Sequence, residues 1–180
     1  MAKLLPFGSY VLDLKSNTSD IDIICVCPNF IKRETHFFEG LYNRFEKDPD
    51  VRNLSKVINA RVPIMTFVYK DTDIDISFCQ LPTETVPRDI EKVITKDLVD
   101  SIEDDKSKTS ILGRKNNLMI LELTGKQVEN FKETLRVVKV WAKNRAISSN
   151  GMGYLGGISW AILVAKICQV FPNHKPMKLL

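Results

Sequence analysis

Two short stretches constrain this 180-residue chain more than any other: Ser19-Asp20-Ile21-Asp22-Ile23 and Asp73-Ile74-Asp75-Ile76. Aspartate is depleted in strands, yet in both stretches it alternates with isoleucine. Alternation with period two marks a strand with one apolar and one polar face. Asp20 and Asp22 then share a face, with Cα atoms about 6.5–7 Å apart. Carboxylates at that spacing can hold one or two hard cations. Two such ions about 3.5–4 Å apart can clamp the attacking and leaving oxygens of a phosphoryl transfer. A lone Asp-x-Asp is more often a solvated strand edge. If the second strand pairs beside the first, a third carboxylate joins the site.

Two neighbours favour the chemical reading. Gly8-Ser9 follows a short apolar run, with residues 10–19 between it and Asp20. A glycine lets phosphate approach the backbone, and exposed N–H groups plus a hydroxyl can bind it. Farther on, Lys132, Arg136, Lys139 and Lys143 fall on one helix face. That stripe suits a triphosphate or an RNA backbone, or it is simply a solvated face.

Charge is partitioned in the same sense. Residues 126–145 carry six basic and two acidic side chains, whereas residues 71–105 carry eleven acidic and three basic ones. An acidic segment followed by a basic helix suits an anionic ligand clamped with a metal. The overall charge of +4 does not by itself demand nucleic acid. The 44% hydrophobic content excludes a disordered chain. No apolar stretch is long enough to span a membrane: Ile158–Phe171 is short and contains Lys166 and Gln169. No signal peptide is visible at Met1–Phe7. Four cysteines, two of them the closely spaced Cys25 and Cys27, make neither a disulfide framework nor a zinc knuckle. They read as buried small hydrophobes in an intracellular protein.

Strands are expected at Leu4–Phe7, Ile21–Val26, Val57–Ala60, Ile64–Tyr69 and Ile74–Phe78, with Asp71-Thr72 turning between the last two. Helices are expected over Glu34–Phe45, Asp89–Ile102, Gln127–Asn144 and Gly157–Val170, with a glycine-broken loop at Ser149–Leu155. The periodicity of Ser107–Thr124 does not decide its state. Trp141, Trp160, Phe37 and Phe38 read as core. Strands early and helices late make an α+β chain.

The motifs resemble those of the eukaryotic poly(A) polymerases, members of the polymerase-beta-type nucleotidyltransferase superfamily. The resemblance runs in order through Pro6-Phe-Gly-Ser-Tyr-Val-Leu12, Ser19-Asp-Ile-Asp22, Cys25-Val-Cys-Pro28, Arg61-Val-Pro-Ile64 and Ile74-Asp-Ile76. It continues at Leu135-Arg-Val-Val-Lys-Val-Trp-Ala-Lys143, Leu155-Gly-Gly-Ile-Ser-Trp-Ala161 and Cys168-Gln-Val-Phe-Pro-Asn173. Asp89–Gly125 matches poorly.

The resemblance implies a nucleotidyltransferase palm over residues 1–88, a mixed sheet with flanking helices. The start of a central helical domain follows over 89–180, incomplete, with a C-terminal RNA-binding domain absent. It places Asp20, Asp22 and Asp75 on the catalytic, metal-binding aspartates. Phe7, Gly8, Ser9, Val62, Lys139, Asn150, Gly157 and Ile158 fall on nucleotide-binding positions. The implied activity is template-independent addition of AMP from ATP to RNA 3′ ends, with Mg²⁺ or Mn²⁺ at a two-metal site. The implied partners are RNA and 3′-end processing proteins, and the implied location is the nucleus. Asp13 stands where the family has glycine, Ser148 where it has tyrosine, Leu112 where it has asparagine, and Thr66 where relatives are often basic. A non-canonical poly(A) polymerase, a terminal uridylyltransferase and a catalytically weak or inactive RNA-binding relative stay open as alternatives.

Overall fold

A computed structural model describes residues 1–14, 20–148 and 150–179, and the side chains of Asn150 and Leu179 are outside that description. Ser19 and Ser149, both inside expected motifs, therefore lie outside the described residues.

The sheet contains β1 (Lys3–Pro6), β2 (Ile21–Cys27), β3 (Val51–Val57), β4 (Ile64–Tyr69) and β5 (Thr72–Gln80). Its five strands stand in the order β1-β2-β5-β4-β3, with β2 and β5 parallel and the other pairs antiparallel. This is the mixed palm sheet the motifs imply. The connection between β4 and β5 is a two-residue turn, Lys70-Asp71, both at positive φ, one position earlier than expected. Two left-handed residues match the twist of the flanking strands.

Alternation gives the sheet two different faces. On one, Cys25, Cys27, Met65, Phe67, Ile76 and Phe78 pack against Phe37 and Phe38. Those phenylalanines belong to helix α1, which winds as a π-helix over Arg33–Leu41 and closes with an α-helical turn, Tyr42–Phe45. On the other face, Leu5, Ile24, Val26, Cys79 and Leu81 are covered by Ile90, Ile94, Val99, Ile102 and Ile111. The same faces of β2 and β5 bear Asp22 and Asp75 nearer their starts. One face is thus apolar at one end and acidic at the other.

Asp89–Ile102 does not form the expected continuous helix. Turns occupy its first part, and only α2 (Lys96–Asp100) is helical. The β-branched run Val93-Ile94-Thr95 disfavours a helix. Thr95 instead ends it in extended backbone and caps α2, its hydroxyl accepting from the Leu98 N–H at 3.2 Å. The undecided segment is the long helix α3, Asp105–Thr124. Strand β3 lies upstream of the expected Val57–Ala60, because Ile58–Ala60 turns toward Pro63.

The chain divides into two compact units, residues 1–11 with 15–115, and residues 12–14 with 116–180. The second contains α4 (Val128–Asn144), α5 (Gly157–Val170) and α6 (Pro176–Leu179). Its core joins Phe131 and Leu135 of α4 to Ala161, Val164, Ala165 and Cys168 of α5, with Leu12 and Leu14. Trp160 packs on this core, but Trp141 is 48% exposed, contrary to its reading as a core residue. Trp141 stands one residue before the buried Ala142 and meets Trp160 edge-on at 6.2 Å. Among the described residues, no helix is long and apolar enough to cross a membrane.

Candidate functional site

The acidic end of the sheet follows from strand register. Asp22 and Asp75 are direct partners across the parallel β2–β5 pair. Asp20 precedes Asp22 by two residues, and Asp73 precedes Asp75 by two, so alternation directs all four to one face. On β4, Thr66 is the partner of Asp75 and Val68 that of Asp73. A small open cavity of about 190 Å³ lies there, lined by Asp20, Asp73, Asp75, Asn53, Thr66 and Val68 among others. Burial pushes the Asp75 carboxyl above its ordinary 3.8, and the charges of Asp20 and Asp73 push it further the same way.

Gly8 closes on this arrangement from β1. It has φ +64°, and a β-carbon there would stand 2.1 Å from Asp22 Oδ2. Only a glycine allows the backbone that close to the carboxylate. The Phe7 N–H donates to the Asp22 carbonyl at 3.0 Å, tying the Gly8-Ser9 turn to β2. The Phe7 ring packs on the core and against α3, where a β-carbon at Gly113 would meet it at 3.5 Å. Phe7, Gly8, Asp22 and Asp75 are therefore neighbours at one end of the sheet, and Asp20 shares the cavity with Asp75. Val62 stands half-buried in the loop before β4 and is not among the cavity-lining residues. Among the described residues, no three His, Cys, Asp or Glu side chains are grouped so as to hold a metal ion. The donors suit a hard cation by chemistry and by strand face, with two of the carboxylates on directly paired residues.

In the second unit, Lys139 is half-buried on α4, Gly157 is the first residue of α5, and Ile158 beside it is 42% exposed. Asn150 opens a 3₁₀ turn, Asn150–Met152. The basic stripe is not uniform. The Lys132 ammonium lies 3.0 Å from Glu129 Oε1 and 3.3 Å from Asp13 Oδ2. The Glu129 hydrogen bond, with a smaller share from Asp13, raises the Lys132 pKa above its ordinary value. Arg136 donates to the Asp13 carbonyl at 2.7 Å. Asp13 itself adopts φ 55°, the left-handed backbone a glycine takes most easily. Its carboxylate is directed to a lysine of the stripe.

Asn53 was not legible as a site residue. A β-bulge in β3 sets Asn53 and Leu54 opposite Phe67, and Asn53 takes φ 54°. The extra residue keeps both Val51 and Leu54 on the apolar face and lets Asn53 line the cavity. Its one sequence signal is an asparagine, tolerant of left-handed backbone, inside a strand.

These features have close counterparts elsewhere. A family model for the poly(A) polymerase nucleotidyltransferase domain matches residues 1–124, and one for the poly(A) polymerase central domain matches residues 130–180. The chain belongs to the poly(A) polymerase family. It is 39% identical to nuclear poly(A) polymerase 1 of Arabidopsis thaliana over 175 residues, 97% of this chain and 24% of that relative. It thus spans about a quarter of that relative's length. Its fold is similar to the polymerase core of TRAMP, an RNA surveillance complex, at TM-score 0.61 and 24% identity, covering 96% of this chain and 46% of that one. It is also similar to the Cid1 poly(U) polymerase at TM-score 0.55 and 18% identity, covering 89% and 40%. The poly(A) polymerase match includes residues 89–124, where the sequence motifs are faintest.

Proposed function

We propose that the chain carries a catalytic centre for template-independent transfer of AMP from ATP to RNA 3′ ends. The observation that carries this reading is the pairing of Asp22 with Asp75 beneath the Gly8 turn, in a member of this family. Asp20, Asp22 and Asp75 would hold Mg²⁺ or Mn²⁺. Such an ion, when bound, supplies Lewis-acid polarisation of the transferring phosphoryl group.

The remaining work belongs to the chain. The N–H groups and Ser9 hydroxyl of the Gly8-Ser9 turn bind phosphate oxygens. Asp75 accepts the proton of the RNA 3′-hydroxyl. The 3′-oxygen then bonds to the α-phosphorus, and the bond to the pyrophosphate leaving group breaks. Lys139 places positive charge on the phosphates. Phe7, Val62, Asn150, Gly157 and Ile158 contact the nucleotide, with Gly157 and Ile158 against the adenine. Residues 1–88 act as the palm and residues 89–180 as the start of a central helical domain. The nuclear poly(A) polymerases among its relatives support a nuclear location; partnership with 3′-end processing proteins belongs to the same proposal.

Uridylyl transfer is the second reading. It is supported by the likeness to the Cid1 poly(U) polymerase and by Ser148 standing, exposed, where the family has tyrosine. Primer extension with each of the four nucleotides, in Mg²⁺ and then Mn²⁺, tests both. AMP incorporation above UMP is expected. UMP above AMP would replace the first reading with the second. No incorporation by folded protein would favour the non-catalytic RNA-binding alternative.

A further inference from the structure

Arg114 is a buried cation that the chemistry above does not use. It lies on α3, is 6% exposed, and is a charged side chain buried among the described residues of the first unit. A buried guanidinium is costly unless its N–H groups find acceptors. One of them donates to the Pro6 carbonyl, and a second lies 3.5 Å from Glu91 Oε2. Its Nε finds no partner among the described residues. Burial lowers the Arg114 pKa, and Glu91 opposes that shift.

The Pro6 carbonyl is a telling acceptor. Pro6 ends β1, the edge strand, and the peptide that joins it to Phe7 leads directly into the Gly8-Ser9 turn. The N–H of that peptide points to β2 and donates to the Asp22 carbonyl at 3.0 Å. Its C=O points the opposite way, as a trans peptide requires, and there receives Arg114. One peptide plane is therefore held from both sides, by the aspartate strand and by α3. The turn hangs from it, with Gly8 in contact with the Asp22 carboxylate. Gly113, one residue before Arg114, lies beside the Phe7 ring on the same stretch of helix.

We propose that Arg114 is a positioning residue: by clamping the Pro6–Phe7 peptide it fixes the Gly8-Ser9 turn over Asp22 and so sets the affinity for the phosphates of a nucleotide. The phosphate role of the turn rests on the function proposed above. Without the clamp the peptide is held on one side only, and the turn N–H groups lose their fixed direction. A general packing role would instead weaken every ligand alike.

Binding of ATP, adenosine and an RNA oligonucleotide to the parent chain, Arg114→Lys and Arg114→Met separates these roles. ATP affinity is expected to fall about tenfold in Arg114→Met, the worth of one charged hydrogen bond. Arg114→Lys, with its charge but no fork, should fall between. RNA affinity should stay within about twofold of the parent, since RNA does not use the turn, and adenosine, which meets Phe7 but not the turn, should lose less than ATP. ATP affinity unchanged in folded Arg114→Lys and Arg114→Met would overturn the proposal, as would equal losses for ATP and RNA or a parent that does not bind ATP. If Arg114→Met does not fold, Arg114→Lys decides alone. A parent that binds ATP with this pattern but incorporates no nucleotide would sink the proposed function and leave the positioning role standing.

Discussion

The two compact units present their candidate residues by different means. In the first, the β-ladder fixes position: Asp22 cannot leave the side of Asp75 without unpairing β2 from β5. In the second, candidates sit on helices, where a neighbouring side chain can claim a cation without disturbing the fold. The Asp13 carboxylate claims Lys132 in this way, and Arg136 donates to the Asp13 main-chain carbonyl. Register therefore holds the acidic candidates rigidly, whereas the basic candidates are open to local adjustment.

The largest test of that contrast removes charge from each set of candidates. Asp22→Asn and Asp75→Asn should each lower primer-extension kcat by about 10³-fold, the scale of losing one essential electrostatic group. The Asp75→Asn protein should melt no lower than the parent, because the substitution removes a carboxylate that burial and the Asp20 and Asp73 charges disfavour. Lys139→Ala should cost less, on the order of tenfold to a hundredfold, chiefly in KM for the nucleotide. Equal losses from Asp22→Asn and Lys139→Ala would break the contrast.

Two glycines sharpen it. Gly8→Ala puts a methyl 2.1 Å from the Asp22 carboxylate at φ +64°. It should destabilise the chain by about 1–2 kcal/mol from backbone strain alone and reduce turnover severely. Gly157→Ala meets nothing within 4 Å and has no left-handed backbone. It should leave the melting temperature unchanged or slightly raised, since alanine favours the helix it opens. Parallel melting curves and steady-state rates for the two variants check both. A destabilised Gly157→Ala would show that the start of α5 is more constrained than its open surroundings indicate.

Legibility in the sequence divides along the same line. The alternation of Asp and Ile at 20–23 and 73–76 specified both strands and their polar face, because period two has few other meanings. The Gly-Ser turn was legible as well, since its glycine is needed at one exact contact. Helix α3 was not. Its buried stripe is Ser107, Ser110, Ile111, Arg114, Asn117, Ile120 and Thr124, spaced for a helix but mostly polar. A search for hydrophobic period passes over such a stripe, because hydrogen bonds rather than apolar area justify its burial. Asn53 was hidden for another reason: a β-bulge shifts the phase of alternation and leaves little trace in residue type. Asp13 was visible as a departure from the family glycine, but only its left-handed backbone and its distance to Lys132 show what the carboxylate does.

The polar start of α3 offers an intermediate effect. Asp104 caps the helix, accepting from the Ser107 N–H at 2.7 Å, and it pairs with Arg33. Ser107 Oγ also receives the Gln80 N–H at 2.9 Å, fastening the helix to the end of β5. Burial alone would raise the Asp104 pKa, but the Arg33 and Ser107 hydrogen bonds outweigh it and hold the carboxyl well below the usual carboxylate range. A depressed folded-state pKa contributes stability that is complete above the unfolded value of 3.8 and is lost as pH falls below it toward the folded value. Asp104→Ala should therefore melt about 2–4 °C below the parent near neutral pH, from the lost cap. The gap should narrow as pH drops below 3.8. A gap that stays constant with pH would show that the carboxylate charge contributes nothing.

The smallest effect belongs to the second unit and bears on what its basic stripe is for. Asp13→Gly relieves a left-handed residue, a gain of about 1 kcal/mol. It also deletes a solvent-screened ion pair to Lys132, a small loss of the opposite sign. The two nearly cancel, so the melting temperature should barely move. Arg136 keeps its bond, which is to the Asp13 main chain. The Lys132 ammonium loses one of its two carboxylates and retains Glu129. If the stripe faces RNA phosphates, Asp13→Gly should bind a single-stranded oligonucleotide more tightly at low salt. The logarithmic salt slope should steepen by about 0.7, the increment for one added phosphate contact. Asp13→Asn separates charge from backbone, because asparagine tolerates the same φ and carries no charge. It should reproduce the change in slope without the gain in backbone energy. Slopes for both variants equal to the parent's would mean that Lys132 faces solvent rather than RNA, leaving Lys139 and Lys143 as the stripe's candidates for phosphate.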